Sequence, residues 1–351
     1  MSPARDVAFR VLRRVHGGGH ASDLLRHESQ SLDARDAALA EAIVLGSLRY
    51  QAQLDYLIAH FSGRPRPKLD EEVRIALRMG IYQLRYLDRI PAHAAVDESV
   101  ELVRRARKRS ATGFVNALLR KVNRQPIEWP DRSIELSVPA WMLERWQQYY
   151  GAEATEKIAR QALEEPKTYV NPSTGLQQDI GSQSIVPLLA LEPGITLLDL
   201  CAAPGNKSVQ ALASGARVIA CDISFRRLAE VPVSVERVVL DAAKPLPFSQ
   251  TFDRILIDAP CSGTGTLTRN PEIKWRLQPT DLAGFHRRQR KMVEQALELL
   301  KPGGRMVYST CSLEIEENED VVAGLPVLET HLRLPGRDAG DGFFSAVLAL
   351  V

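Results

Sequence analysis

Residues 196–207 read TLLDLCAAPGNK, an apolar run that leads into a tight turn of small residues. The first five of these residues are typical of a buried strand, and a helix is predicted to begin near Ser208. Small residues in such a turn let the backbone approach a ligand, and the free N–H groups at a helix start favour an anionic group. The turn lacks the pattern G-x-G-x-x-G, so the dinucleotide-binding fingerprint is not met.

Three further predicted strands are each followed by an acidic residue. They cover residues 216–220, 235–240 and 252–257, and the acids are Asp222, Asp241 and Asp258. Strands that alternate with helical stretches from Ile195 onward are typical of a doubly wound α/β sheet, whose ligands bind at the carboxyl ends of the strands. Capping of a following helix would explain any one of these acids but explains the set poorly. Asp222, after the second strand, is placed to accept the hydroxyl groups of a ribose.

The first half of the chain has a different texture, because residues 4 to about 124 predict helices throughout. One apolar stripe at helical spacing consists of Val7, Ala8, Val11, Leu12 and Val15. A long pattern over residues 33–57 predicts a second helix, and further helices are predicted from Asp70, from Pro91 and around Phe114. We therefore expect a helical bundle in residues 1–124, a linker with a helical pair in residues 125–182, and an α/β domain in residues 183–351.

Charge is unevenly distributed between the two halves. Residues 1–150 contain 24 Lys and Arg against 18 Asp and Glu, whereas residues 151–351 contain 21 against 25. A basic half joined to a mildly acidic half favours contact with a polyanion. The densest basic run, near the end of the helix that starts at Pro91, is Arg104, Arg105, Arg107, Lys108 and Arg109. Such density favours contacts with RNA phosphates, since each contact releases condensed counterions, although a solvated helix face is the alternative.

Composition excludes several classes of protein. With 45% apolar and 25% charged residues, the chain is neither collagen-like nor wholly disordered. It has no uncharged apolar run of 18 residues and no secretory leader pattern, so we expect a cytoplasmic protein that does not enter a membrane. The cysteines are Cys201, Cys221, Cys261 and Cys311, too far apart for a C-x-x-C zinc site. Because no other cluster of metal ligands is found, no metal is expected.

Five segments of the second half resemble a known family. DAPCSGTG at residues 258–265 and RNPEIKW at residues 269–275 resemble the NOL/NOP/Sun family of RNA (cytosine-5) methyltransferases. CAAPGNK at residues 201–207 is similar to that family's S-adenosylmethionine loop, STCS at residues 309–312 to its catalytic-cysteine motif, and DGFF at residues 341–344 to its terminal strand. The resemblance is most specific in residues 258–275, and it implies a Rossmann-like, S-adenosylmethionine-dependent methyltransferase domain.

The first half of the chain resembles a second known family. LRMGIYQL at residues 77–84 and IPAHAAVDESV at residues 90–100 resemble a NusB-like RNA-binding domain. Together the two resemblances cover nearly the whole chain. They imply an all-α NusB-like bundle followed by the methyltransferase domain, a small-subunit (16S) ribosomal RNA substrate and a role in rRNA processing. A monomer is expected.

The resemblance also implies roles for individual residues. C5 of cytosine is a poor nucleophile until a thiolate adds to C6. Cys311 would be that thiolate, Cys261 would assist release, and Asp258 would hold the edge of the base. The opposite assignment of the two cysteines is also chemically sensible, because both follow strands of the same sheet. Lys207 either keeps a nearby thiol ionised or has a structural role in the cofactor loop.

The implied cofactor site consists of several strand ends. S-adenosylmethionine would bind along Cys201, Ala202, Ala203, Pro204, Gly205, Asn206 and Lys207, with Asp222 on the ribose, Asp241 near the adenine and Asp258 also bordering the cofactor. Lys274, within the RNPEIKW segment, joins the basic run as an implied RNA contact.

The sequence departs from the family pattern in three places. Asn206 stands where the family has Gly, the RNA-binding segment that the family carries after residues 169–171 is mostly missing, and residues 222–241 leave little room for a full helix. A second interpretation is therefore an RNA-binding ribosome-assembly factor with a catalytically weakened methyltransferase domain. DNA cytosine methylation is a third and weaker interpretation, since the NusB-like half and the Thr310-Cys311 pair indicate an RNA substrate.

Overall fold

The computed structural model describes residues 2–65 and 67–350, which fold into two units. The first unit extends to Glu165 and also includes Leu267–Arg276, and the second comprises Pro166–Thr266 and continues from Leu277. The helices, in chain order, are α1 (Pro3–His16), α2 (Ala21–Glu28), α3 (Ala34–Arg49), α4 (Gln51–Ser62), α5 (Glu71–Tyr86), α6 (Ala92–Arg105), α7 (Thr112–Leu119), α8 (Arg132–Glu135), α9 (Ala140–Gln161), α10 (Ile180–Gln183), α11 (Asn206–Leu212), α12 (Phe225–Leu228), α13 (Ile273–Arg276), α14 (Leu282–Leu297) and α15 (Glu319–Val322).

The first unit is a helical bundle, as predicted. The apolar stripe of α1 is buried along its length, and it packs in one core with the apolar faces of α3 to α7. Pro3 begins α1 at a position where the missing N–H is not needed. Asp33 caps α3 by accepting a hydrogen bond from the backbone N–H of Asp36 at 2.8 Å. These local signals place the helix starts close to where the sequence predicts them.

Two details of the bundle differ from the prediction. The single helix predicted over residues 33–57 is two helices, because Tyr50, with φ −100° and ψ 18°, interrupts it between α3 and α4. The short helix α2 was not predicted. The predicted helical pair is confirmed, since Gly151, with φ 81° and ψ 168°, divides α9 into two helices.

The boundaries of the units also differ from the predicted ones. Residues 125–165, predicted as part of a separate linker segment, belong to the first unit, and so does Leu267–Arg276, which was predicted within the methyltransferase domain. Hydrogen bonds within the first unit explain the second difference. Trp275 Nε1 donates to Leu48 O at 2.6 Å, and Arg49 donates to Thr268 O at 3.0 Å.

The second unit contains a seven-stranded sheet of order β3-β2-β1-β4-β5-β7-β6. The strands are β1 (Thr196–Asp199), β2 (Arg217–Asp222), β3 (Glu236–Val239), β4 (Phe252–Asp258), β5 (Leu300–Thr310), β6 (Val327–Arg333) and β7 (Phe343–Ala349). β1 to β5 are parallel, whereas β7 runs antiparallel to both β5 and β6. This is the predicted doubly wound, Rossmann-like sheet, with an antiparallel pair at one edge.

Both faces of the sheet are buried. Leu198 and Ile255 belong to one apolar core and Leu197 and Leu256 to another, so neighbouring residues along each strand face opposite layers. This explains why the central strands read as continuous apolar runs. Between β2 and β3 the chain forms only the four-residue helix α12, which confirms that residues 222–241 are too short for a full helix.

Within residues 2–65 and 67–350, no helix combines the length and apolar character that crossing a membrane requires.

Candidate active site

The sheet brings the predicted acids and cysteines to one edge. Its order reverses at β1, which lies between β2 and β4, and ligands of such sheets bind at this point. Asp222 ends β2 and Asp258 ends β4. β4 and β5 pair in parallel with Asp258 beside Ser309, so Cys261 and Cys311 follow adjacent strand ends.

The loop over residues 201–207 is held against β2. Ala202 N donates to Cys221 O at 2.8 Å, and Arg227 donates to Ala203 O at 2.9 Å. Gly205 has a φ of 112°, which other residues rarely adopt, whereas Asn206 already lies in α11. The substitution of Asn for Gly at position 206 therefore falls where a left-handed backbone is not required.

The sequence predicts that the acids after β2 and β3 bind the nucleoside part of S-adenosylmethionine. Asp222 is buried and accepts a hydrogen bond from Ser224 N at 2.8 Å through Oδ1. A carboxylate has about four acceptor positions, so Asp222 retains the capacity to accept ribose hydroxyl groups. Asp241 accepts a hydrogen bond from Ala243 N at 3.1 Å and lies 3.7 Å from the guanidinium of Arg288.

Lys207 and Asp258 form an ion pair at this edge. Lys207 Nζ lies 2.6 Å from Asp258 Oδ2, and Ser309 Oγ donates to Asp258 Oδ1 at 2.9 Å. Lys207 also lies over the Phe343 ring, 5.5 Å from its centroid. These contacts connect Lys207 to the carboxylate that was predicted to hold the base, and so favour a positioning role for this lysine.

The two cysteines after β4 and β5 are in contact. Cys261 Sγ and Cys311 Sγ lie 3.4 Å apart, and both side chains are partly exposed. The hydrogen bond with Cys311 and burial raise the pKa of the Cys261 thiol well above its usual range. Two thiolates at this distance would repel each other, so at most one of the pair is expected to be ionised.

A buried carboxylate joins the loops that carry the two cysteines. Glu317 Oε1 accepts hydrogen bonds from Ser262 N at 2.8 Å and Gln289 Nε2 at 3.1 Å. Its Oε2 accepts hydrogen bonds from the hydroxyl groups of Ser262 and Ser312. Burial raises the pKa of Glu317, and these hydrogen bonds oppose that effect.

The other two cysteines have different surroundings. Burial raises the pKa of both Cys201 and Cys221 far above the usual range, so both remain thiols at neutral pH. Cys221 lies in β2 within the apolar core. This environment agrees with packing roles for both residues.

The basic run predicted to contact RNA is partly neutralised by the protein itself. Arg104 and Arg105 pair with Glu101, and Lys108 Nζ lies 2.9 Å from Asp70 Oδ2. The remaining members of the run, Arg107 and Arg109, are exposed. The prediction that this run contacts RNA therefore depends mainly on these two arginines.

The prediction that Lys274 contacts RNA is wrong. Lys274 is only 1% exposed, and its Nζ donates to Arg49 O at 2.8 Å within the first unit. Burial lowers its pKa to about 7. RNA phosphates cannot reach this amine, which satisfies a backbone carbonyl instead.

Several residues at the site were not singled out from the sequence. Asp199, at the end of β1, accepts a hydrogen bond from Ser208 Oγ at 2.7 Å, and burial raises its pKa to about 7. Glu317 and its partners were also missed. For Glu317, the sequence signal is a repeated Cys-Ser pair, Cys261-Ser262 and Cys311-Ser312, whose serines contact it.

Two protein-family models match the chain. The model described as 16S rRNA methyltransferase RsmB/F matches residues 186–333, and that of the NusB family matches residues 2–124. The second match covers the region predicted to be NusB-like, and the first includes the strand ends described above.

Curated relatives match over nearly the full length. The ribosomal RNA small subunit methyltransferase B of Erwinia tasmaniensis is 31% identical over 424 residues, which cover 99% of this chain and 99% of the relative. The Klebsiella pneumoniae protein of the same name is 30% identical over 420 residues, covering 98% and 97%. Because both alignments exceed the 351 residues of this chain, the relatives contain residues that it lacks. This agrees with a missing segment.

Solved structures support the fold. The crystal structure of the protein PH0851 has a TM-score of 0.78 at 20% identity and covers 99% of both chains. A methyltransferase homolog from Pyrococcus horikoshii has a TM-score of 0.53 at 22% identity and covers 62% of this chain and 97% of its own.

Proposed function

The chain belongs to the ribosomal RNA small subunit methyltransferase B family, and from its site we propose that it methylates C5 of a cytosine in 16S ribosomal RNA through a covalent bond from Cys311 to C6. As a member of this family it is an S-adenosylmethionine-dependent rRNA methyltransferase. The choice of C5 and of the covalent route rests on the site residues. S-adenosylmethionine supplies the methyl group that replaces the C5 hydrogen.

The observation that carries the proposal is the contact between the two cysteines beside Asp258. A methyl transfer to an exocyclic nitrogen or a ribose oxygen does not require a thiol, because each of those atoms has a lone pair that can attack the methyl carbon without prior addition to the ring. A cytosine carbon needs activation, and thiolate addition to C6 provides it. The 3.4 Å separation of Cys261 Sγ and Cys311 Sγ puts both sulfurs within reach of one pyrimidine ring.

Cys311 is the better candidate for the nucleophile. The pKa of Cys261 is raised by its hydrogen bond to Cys311 and by burial, so Cys261 stays protonated and can donate its S–H to the neighbouring sulfur. An S–H donor stabilises a thiolate that accepts its hydrogen bond. Family resemblance points to the same assignment.

Asp258 would hold the Watson–Crick edge of the cytosine. Its carboxylate is fixed from two sides, since Lys207 binds Oδ2 and Ser309 binds Oδ1. A carboxylate can accept a hydrogen bond from the exocyclic amine, and once protonated it can donate to N3. Lys207 thus orients the group that orients the base.

The proposed reaction consists of an addition to C6 followed by an elimination. Cys311 sulfur bonds to C6, and the electron pair of the C5–C6 double bond forms the new bond from C5 to the methyl carbon. The bond from that carbon to the sulfonium sulfur breaks, and its electron pair would leave with S-adenosylhomocysteine. The C5 hydrogen then leaves as a proton to water, its electrons restore the double bond, and Cys311 departs as a thiolate. The Cys261 S–H donates a hydrogen bond to the departing sulfur, which makes it a better leaving group.

The first unit would bind the RNA substrate through its exposed basic side chains. Residues 2–124 match the NusB family, and Arg107 and Arg109 are exposed in the segment between α6 and α7. Such contacts supply affinity without base specificity, because they are made to phosphates. The target nucleotide is then selected by the second unit.

Bisulfite mapping of 16S rRNA tests the proposal. RNA is compared from cells that lack the protein, cells that regain it, and cells that regain the Cys311→Ala variant. One cytosine that loses its 5-methyl mark without the protein, and regains it only with the unaltered chain, is the expected result. An unchanged methylation pattern, with impaired assembly of the small subunit, would support the RNA-binding assembly factor instead.

A further inference from the structure

The residues that follow the two cysteines share a single acceptor. Ser262 N donates to Glu317 Oε1 at 2.8 Å, and the hydroxyl groups of Ser262 and Ser312 both donate to Glu317 Oε2. The two hydroxyl oxygens are themselves 3.1 Å apart. One carboxylate therefore connects the loop after β4 with the loop after β5, next to each cysteine.

Glu317 is in turn held by groups on two other elements. Tyr308, on β5, donates its hydroxyl to Glu317 O at 2.6 Å. Gln289, on α14, donates to Glu317 Oε1 at 3.1 Å and to Pro260 O at 3.0 Å. All three of these side chains are almost fully buried. Because these contacts fix the carboxylate, a displacement of either loop should also displace the other.

Every side chain that contacts this carboxylate is a hydrogen-bond donor, as an ionised Glu317 requires. Its negative charge lies near Cys261 and adds to the effects of Cys311 and of burial in raising the pKa of that thiol. Cys311 and Glu317 both act on Cys261 by charge, and Tyr308 on β5 interacts with the same thiol. The carboxylate thus acts on the geometry of both cysteines and on the ionisation of one.

We propose that Glu317 is a positioning residue for methyl transfer, which holds Cys261 and Cys311 in register through Ser262 and Ser312. The proposal rests on the proposed function, because it assigns Glu317 to the cysteine pair of that reaction. Glu317 orients the two cysteines through Ser262 and Ser312, and its charge acts on Cys261. Without it, the sulfurs would no longer be held at the separation at which one sulfur can stabilise the other.

The first test measures the ionisation of Cys261 and needs no RNA. In the full chain with Cys311→Ala, the rate at which iodoacetamide modifies Cys261 is followed by peptide mass spectrometry as a function of pH. Adding Glu317→Gln should move the midpoint of this profile to lower pH by about one unit, which is about a tenfold faster reaction below the midpoint. Glu319→Gln, which neutralises an exposed carboxylate two residues further on, should leave the profile unchanged. An identical profile with Glu317→Gln would overturn the charge effect that the proposal entails.

The second test measures the register of the pair. With Cys261→Ala, which is expected to trap protein on RNA, the additional change Glu317→Ala should reduce the trapped adduct at least tenfold while calorimetric affinity for S-adenosylmethionine stays within twofold. Glu317→Gln keeps an acceptor for Ser262 N and should recover part of the adduct, and it decides the matter if the alanine variant does not fold. Adduct yields that are equal with and without Glu317 would overturn the proposal. If Cys261→Ala itself traps no RNA, the proposed function fails, and the alkylation profile still decides the role of Glu317.

Discussion

Lys207 Nζ and Asp258 Oδ2 lie 2.6 Å apart, so the helix that follows β1 supplies the counterion for the carboxylate at the end of β4. Lys207 is almost buried, whereas Asp258 is partly exposed at the edge where the ligands bind. Removing one partner of a buried ion pair leaves the other without compensation. The pair should therefore act as one unit in catalysis.

Lys207→Met and Asp258→Asn should each lower kcat for methyl transfer at least tenfold. The double variant should be no worse than the more damaged single one, because each change removes the same interaction. Labelled S-adenosylmethionine and 16S rRNA provide the assay. Lys301→Met, which removes a lysine paired with Asp253 at the opposite end of the strands, is the matched control and should retain activity. Fully additive losses in the double variant would show that the two residues act independently.

Asp222→Ala should weaken binding of S-adenosylmethionine. Hydrogen bonds from ribose hydroxyl groups to a carboxylate are charge-assisted and contribute roughly 1.5–3 kcal/mol, or about 10- to 150-fold in Kd. Isothermal titration calorimetry gives the affinity directly. Glu236→Gln, on the neighbouring strand β3 and paired with Arg217, should bind as the unaltered protein does. Unchanged affinity of the Asp222 variant would remove this residue from the site.

Much of the fold could be predicted from local patterns. The stripe on α1 and the strand–turn–helix at residues 196–207 depend on spacing that neighbouring residues determine. The break at Tyr50 could not be predicted, because it interrupts an apolar pattern that continues on both sides and involves neither glycine nor proline. The placement of Leu267–Arg276 in the first unit depends on hydrogen bonds to residues more than 200 positions away.

The site residues that could be predicted from the sequence are those at the ends of strands. Asp222 and Asp258 follow apolar runs, so the topology alone brings them to one edge. Glu317 does not lie at the end of a strand, and its proposed role depends on contacts with serines that are 55 and 5 positions away. Lys274 lies within a recognisable motif, and its predicted RNA contact requires an exposed side chain, whereas the structure buries it. Burial of a single cation depends on tertiary packing, which the sequence pattern does not display.

RNA binding should depend on Arg107 and Arg109 more than on the rest of the basic run. Each phosphate contact contributes about 0.7–0.9 to the slope of log affinity against log salt. Changing both residues to Gln should reduce the slope for 16S rRNA by up to about 2. The matched variant Arg104→Gln with Arg105→Gln removes two arginines that already pair with Glu101, and should change the slope less. Filter binding over a series of salt concentrations measures both slopes. Equal slopes for the two variants would indicate that the basic run is a solvated helix face and does not contact RNA.

Lys274→Met should alter how stability depends on pH. The folded pKa of Lys274 is about 7, whereas its ordinary value is 10.5. Between these values the unfolded chain binds a proton that the folded chain does not, so acidification from pH 10 to pH 7 favours unfolding. The effect is on the order of 1 kcal/mol per pH unit.

Urea unfolding of the full chain at several pH values measures this effect. The Met variant lacks the titrating group, so its stability relative to the unaltered protein should increase as the pH falls towards 7. Lys121→Met, at an exposed position of the same unit, should show no such trend. A difference between Lys274→Met and the unaltered protein that is constant across this range would contradict the burial of a titrating amine.

The assignment of the two cysteines is tested most directly by trapping. Labelled 16S rRNA and S-adenosylmethionine are incubated with each variant, and the products are separated on a denaturing gel. Cys261→Ala should form a shifted band of protein bound to methylated RNA, because attack still occurs and release is impaired. Cys311→Ala should give neither methyl transfer nor a shifted band. A shifted band from Cys311→Ala, with none from Cys261→Ala, would contradict this account and make Cys261 the nucleophile.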